Sequence, residues 1–223
     1  MAISTETNTR GRLLDAAEKL FAESGVGGTS LRAITAEAGA NLASIHYHFG
    51  SKDVLLVEVF SRRITPMNDA RLGQLEEAKA DSPRDVDAIV RAFVSPALHQ
   101  LVSPDPGVRA ITQLIGRLYS EPAEIKHKII RMFEDVARQF TEALSSTLPH
   151  LDKTEVFWRF HYMVGSIAFT MVSTDIVEAR ADGHITLGNV EDNIERLVRF
   201  ISGGLSAPGA SDRLTNEETH SED

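Results

Sequence analysis

The chain has no cysteine among its 223 residues. That excludes disulfides and thiol chemistry and makes a cytoplasmic location the expectation. No run approaches the roughly 20 consecutive apolar residues a bilayer span needs, so no membrane is expected among the partners. The opening stretch MAISTETNTRGRLL has no apolar h-region, and no secretory signal is expected there. Signatures of catalysis are also missing: no pair of histidines at i, i+4, no glycine-rich phosphate loop and no G-x-S-x-G elbow. An α-helical enzyme using histidines and carboxylates of the C-terminal part is the disfavoured alternative, and neither a cofactor nor a metal is expected.

What is present is the composition of an ordinary globular protein, 42% hydrophobic and 25% charged, with length for one large domain or two small ones. The net charge of −9 argues against a chain coated all round by nucleic acid. A local DNA-reading face stays open, because the field that matters is the local one. The acidic excess is uneven. Residues 203–223 hold one Arg against five Asp or Glu, while residues 1–52 hold five of each sign. The tail, taken as 205–223, reads as solvated and disordered.

Nearly every segment has helical spacing and none alternates as a strand would. The first helix spans about 8–24, with Leu13, Ala17, Leu20 and Phe21 on one stripe and Gly25 as its stop. Two short pieces follow at 30–39 and 41–49, capped by Thr29 or Ser30 and by Asn41. Ser51 caps a long helix to about 79, with Asp53 in its first turn. Further helices are expected at 84–102, 107–120, 122–147, 152–181 and 189–203, broken at SPDPG, Glu121-Pro122, LPHLD and ADGHITLG. The expectation is an all-α protein of about nine helices. A three-helix head (8–55) precedes a larger body (56–204) for ligand binding and dimerisation.

Helices of two turns are marginal alone, so the short pair must be held by its neighbours through Leu31, Ile34, Ala38, Leu42, Ile45 and Phe49. A glycine-containing turn between them is the helix-turn-helix arrangement, whose second helix enters the major groove. With Ile45 and Phe49 inward, Ala43, Ser44, Tyr47 and parts of His46 and His48 face outward. Small side chains at 43 and 44 permit close approach to base edges. Tyr47 and His48 can donate to phosphates, as can Lys52 beside a helix start. Arg32 is the long donor able to reach a guanine edge. A glycine between short helices is common, so spacing alone does not settle the motif. A metal reading of His46-x-His48 fails, since residues two apart on a helix point about 200° apart.

The stretch 10–60, RGRLLDAAEKLFAESGVGGTSLRAITAEAGANLASIHYHFGSKDVLLVEVF, resembles the DNA-binding head of the TetR family of transcriptional regulators. The resemblance rests on the F-x-x-x-G helix end, the T-[ST]-x-x-x-I step, the A-G-x-x-x-x-x-I turn and the closing HFGSKDVLL. It implies a non-enzymatic DNA-binding function, with Thr29, Ser30, Arg32, Ser44, Tyr47, His48 and Lys52 in DNA-facing positions. His46 stands where the family usually has Tyr, a position between core and phosphate with either contact open to it.

In the body, helix 152–181 is apolar nearly all round, with one stripe of Val156, Phe160, Val164, Ile167 and Met171 and another that includes His161 and Phe169. The last helix adds Ile194, Leu197 and Ile201. Phe160, Val164, Ile167, Met171, Ile194, Leu197 and Ile201 are the candidate dimer contacts, in a four-helix interface that the resemblance also implies. Operator palindromes require a twofold protein for the same geometric reason. Core is the default role for the apolar residues of 84–147. Phe93, Ile111, Leu114, Met132, Phe133 and Phe169 are candidates to line an effector site, with Arg117 as anchor for an acidic head and His161 nearby. A salt bridge to Glu121 or Glu124 is the alternative for Arg117, and a satisfied core position the alternative for His161. The body is also similar to PsrA-type TetR regulators, which implies a fatty acid or acyl-CoA as effector. Together these readings give a dimeric repressor released from a palindromic operator by a small apolar or acyl ligand.

Overall fold

The computed structural model describes residues 2–105, 107, 108, 123–173 and 189–209. Within them every regular element is helical. In chain order these are α1 (Ala2–Gly28), α2 (Leu31–Glu37), α3 (Leu42–His48), α4 (Lys52–Asp81) and α5 (Val86–His99). After them come α6 (Ala123–Ile130), α7 (Glu134–Thr147), α8 (Lys153–Val172) and α9 (Val190–Ser206). Among these described helices none is long and apolar enough to cross a membrane.

The boundaries follow from local chemistry. Gly25, at φ +72°, interrupts α1 at the expected stop. The Ser30 hydroxyl accepts from Ala33 N at 3.1 Å, Asn41 Oδ1 from Ser44 N at 2.9 Å and Ser51 Oγ from Val54 N at 3.2 Å. Each satisfies an amide the helix start leaves unpaired. Asp152 and Asn189 do the same for α8 and α9.

Two expected helices differ. The span 122–147 is interrupted by a 3-10 turn at Arg131–Phe133, which separates α6 from α7. Helix 152–181 ends at Val172, where the Ser173 amide and hydroxyl both donate to the Phe169 carbonyl and close it. The expected helix 107–120 falls largely on residues outside those described.

The chain divides into two compact units, residues 1–68 with 100–134 and residues 69–99 with 135–223, and passes from the first to the second within α4. The core of the first unit joins Leu13, Ala17 and Phe21 of α1 to Ile34, Ile45 and Phe49 of the short pair and to Leu55, Leu56, Val59, Phe60 and Ile64 of α4. Ile129 of α6 is part of the same core, with Ile125, Met132 and Phe133 packed against it. The head is therefore covered by residues from beyond position 100. Asn68, buried in α4, donates to the Met132 carbonyl at 2.9 Å.

The second unit is built on Phe93, whose ring meets Phe140 of α7 edge-on at 4.9 Å and Phe160 of α8 at 5.3 Å. Arg71 of α4 is buried with its guanidinium carbon 3.9 Å from the Phe93 ring centroid, and its Nε donates to the Phe93 carbonyl. Burial pulls the Arg71 pKa down to about 9.

Candidate nucleic-acid interface

The face of interest is made by α2, the Gly39 turn and α3. Gly39 (φ +58°) and Gly50 (φ +73°) take left-handed conformations that end α2 and α3 sharply. Ile45 is completely buried and Phe49 nearly so, which turns the opposite side of α3 outward. Two ion pairs brace this arrangement. Arg10 lies over the Phe49 ring and pairs with Glu58 at 2.8 Å, and Lys19 of α1 meets Glu37 of α2 at 2.7 Å. The bond to Glu37 raises the Lys19 pKa above its ordinary value.

Tyr47 is 74% exposed on the outward side, with Ala43 and His46 also exposed and Ser44 and His48 half-buried. The His48 ring stands edge-on to Tyr47 at 5.0 Å, limiting both rings. Ser44 Oγ donates to the capping Asn41 Oδ1 at 3.0 Å. Arg32 is exposed and free of side-chain partners among the described residues. No Asp or Glu occurs from Asn41 to Lys52, so the α3 part of this face carries no acid of its own to repel phosphate.

Two expected members are placed differently. Thr29 is buried, and its hydroxyl is shared between the carbonyls of Leu20 at 3.0 Å and Gly25 at 2.8 Å. It ties off the end of α1 beside the break at Gly25 and does not face outward. Lys52 is half-buried, with its ammonium donating to the Val26 carbonyl. It holds that same helix end, and two of its three N–H donors remain. His46 makes a contact the sequence left open: its Nδ1 lies 3.2 Å from the Gly50 carbonyl oxygen.

The candidate effector residues do not share one environment. Phe93 is in the core of the second unit, while Met132 and Phe133 pack against the core of the first. His161 is exposed on α8, as is Phe169 at 67%. Ile111, Leu114 and Arg117 lie outside the described residues.

The candidate dimer set needs a correction. Phe160, Ile167, Ile194 and Ile201 are buried within the chain itself, so their apolar surface is already covered. Met171 and Leu197 are half-buried and Val164 is at the margin of exposure. The exposed side of α8 carries Phe157, Phe169 and Val172 of the other stripe, with Trp158 and Tyr162 beside Phe157; Phe200 of α9 is exposed as well. The sequence carried this signal in the second apolar stripe.

A short capped helix, held by a three-helix core and showing an acid-free polar face, defines a helix-turn-helix head. The comparisons with known proteins agree. Residues 13–59 match the profile described as bacterial regulatory proteins, tetR family, and residues 91–204 match the tetracyclin repressor-like C-terminal domain. The chain belongs to the TetR family, whose members are DNA-binding regulators and not enzymes. It is 32% identical over 98 residues to the HTH-type transcriptional regulator AcrR of Shigella flexneri, covering 44% of this chain and 43% of that protein. It is 33% identical over 117 residues to the HTH-type nicotine-responsive transcriptional repressor HdnoR of Paenarthrobacter nicotinovorans, covering 49% and 58%. The matched parts thus span about half the length of these relatives. The fold is similar to that of the fatty acid degradation regulator FadR from Bacillus halodurans, at a TM-score of 0.68 and 19% identity over 88% of this chain and 96% of that one.

Proposed function

We propose that the protein is a ligand-responsive dimeric repressor that binds a palindromic operator in double-stranded DNA and leaves it when a small apolar or acyl effector binds. The observation that carries the DNA half is the outward face of α3. Tyr47, Ser44 and Ala43 meet the groove or its phosphates, with Arg32 alongside. Lys52 adds charge there, but its bond to Val26 makes it as much a brace of the head as a phosphate contact.

The dimer half is supported by the exposed aromatic stripe of α8 with Phe200 of α9. Large apolar side chains left exposed along one helix mark an association site. A second copy is the occupant that a palindromic operator requires. The acyl effector is supported by the likeness to FadR and by the similarity of the body to PsrA-type regulators. Arg117 is retained as the anchor for its acidic head. Recognition helices must lie about 34–36 Å apart, or a multiple, to occupy successive major grooves. An effector that prefers a different tilt of α4 would draw the dimer out of that spacing. At about 100-fold preference, the coupling is roughly 2.7 kcal/mol.

The test is a mobility shift with the DNA upstream of the protein's own coding sequence, with competitor DNA and across a salt series. Affinity should fall steeply with salt as phosphate contacts release counterions. Tyr47→Ala should weaken binding, and Arg32→Ala should also relax base preference by about 1–3 kcal/mol. Parent-like binding by both variants would sink the assignment of this face. Calorimetry of long-chain fatty acids and acyl-CoAs against parent and Arg117→Ala tests the effector class and its anchor.

A further inference from the structure

The bond between His46 and Gly50 constrains what His46 can offer to DNA. A carbonyl oxygen only accepts, so with His46 Nδ1 at 3.2 Å from Gly50 O the proton of the neutral ring sits on Nδ1. Nε2 then carries a bare lone pair. A phosphate oxygen is itself an acceptor, and the two repel. The acceptor on Gly50 is fixed in place, because the Gly50 amide donates to Ile45 O at 3.2 Å and His46 O at 3.1 Å in a left-handed turn. Turning the ring to aim Nδ1–H at DNA would forfeit that bond. Only the imidazolium, protonated on both nitrogens, keeps the Gly50 contact and donates from Nε2 as well.

We infer that His46 is a proton-dependent phosphate contact, so that each head takes up a proton at this ring as it closes on DNA. This rests on the DNA-binding reading of α3. The surroundings supply no other counterion among the described residues. On α1, Arg10 pairs with Glu58, Asp15 with Arg62, Glu18 with Arg63 and Lys19 with Glu37, Glu23 acts on Lys19, and Arg12 bonds to Thr9. On α2 the remaining charge is Arg32; at the start of α4, Lys52 donates to Val26 and Asp53 meets Lys128 at 3.3 Å. Tyr47 and His48 are the titratable neighbours on α3 itself. The negative charge that would hold His46 protonated arrives with the phosphate, which ties affinity to pH.

Fluorescence anisotropy of the full chain on a duplex of its own upstream DNA, at about pH 6 and about pH 8 and fixed ionic strength, tests this. The parent should bind more tightly at the lower pH, by up to about tenfold per pH unit for each head. His46→Tyr and His46→Gln donate without taking a proton, and both should bind with a flat profile. His127→Gln, at an exposed position of α6 outside the DNA-facing set, should keep the parent profile. A flat parent profile overturns the inference, as does the parent's pH dependence persisting in both His46 variants. Absence of binding by the parent at either pH would overturn the DNA-binding reading and this contact with it, an outcome distinct from binding that ignores pH.

Discussion

Arg63→Ala is expected to be among the most damaging single changes to the first unit. The Glu18 carboxylate is buried on α1 and is held in a fork by Arg63, with Nε at 2.7 Å from Oε1 and Nη2 at 3.1 Å from Oε2. Arg63 also reaches Asp105 at 2.6 Å. Removing the guanidinium leaves Glu18 with Arg62 Nη1 at 3.8 Å, too long for a hydrogen bond. Stranding a buried charge in this way costs about 3–5 kcal/mol. With a urea m-value of about 2 kcal/mol per molar, the midpoint should fall by roughly 1.5–2.5 M. Arg62→Ala is the control. Its close partner Asp15 is exposed, and such pairs are worth about 1 kcal/mol or less. The assay is urea unfolding followed by far-UV circular dichroism, since the single tryptophan, Trp158, reports on the second unit only. The double variant Glu18→Leu, Arg63→Leu should recover most of the loss, because it leaves no unpaired charge. Gly107 supplies a companion test: a Cβ there would lie 2.0 Å from Arg63 Nη2 and 2.8 Å from Glu18 Oε1, so Gly107→Ala should destabilise by about 1–3 kcal/mol. If Arg63→Ala shifts the midpoint no more than Arg62→Ala, the ion pair is not what holds α1 to α4.

Asp105 adds a pH dependence of known sign. Its bond to Arg63, with the Gly107 amide, holds its carboxyl below the usual value. Its contribution is therefore present above the ordinary carboxylate range and lost as pH falls through the lowered value; it should be small, since the group is half-exposed, and absent from acid titrations of Asp105→Asn. Arg159 of α8 donates to the carbonyls of Gly204, Leu205, Ala207 and Pro208 and so closes the end of α9. Arg159→Ala should cost about 1.5–3 kcal/mol in thermal or urea unfolding, and Arg159→Lys should recover little, because an ammonium cannot fork between those acceptors. On the outer stripe of α8, Phe169→Glu should give monomers with parent helix content by sedimentation velocity and circular dichroism. Ile201→Glu should instead lower the melting temperature, since that side chain is buried within its own chain.

The local grammar of the head could be read without coordinates. Ser30, Asn41 and Ser51 cap their helices through bonds to an amide three residues on, and Gly25 interrupts α1 because a positive φ is cheapest at glycine. Such features depend on neighbours a few positions away, which the order of residues supplies directly. The inward placement of Ile45 and Phe49 followed from the same periodicity, and with it the outward placement of Tyr47.

Other features depended on partners far along the chain. The Thr29 hydroxyl turns inward onto the carbonyls of Leu20 and Gly25 beside the break in α1, and Lys52 is drawn to Val26 across 26 positions. Ile129 completes the head's core from a segment that, by sequence, belongs to the body. The apolar pattern of α8 gives two stripes and points the first at the dimer; the structure reverses this, since Phe160 and Ile167 face inward, with Phe93 packed on Phe160, which leaves Phe157 and Phe169 of the second stripe outside. The sequence by itself determined an all-α chain with a helix-turn-helix head, since helical periods, caps and stops are short-range. Only the tertiary structure decided which apolar stripe is core and which polar groups are spent on the fold, because those depend on groups brought together from distant positions.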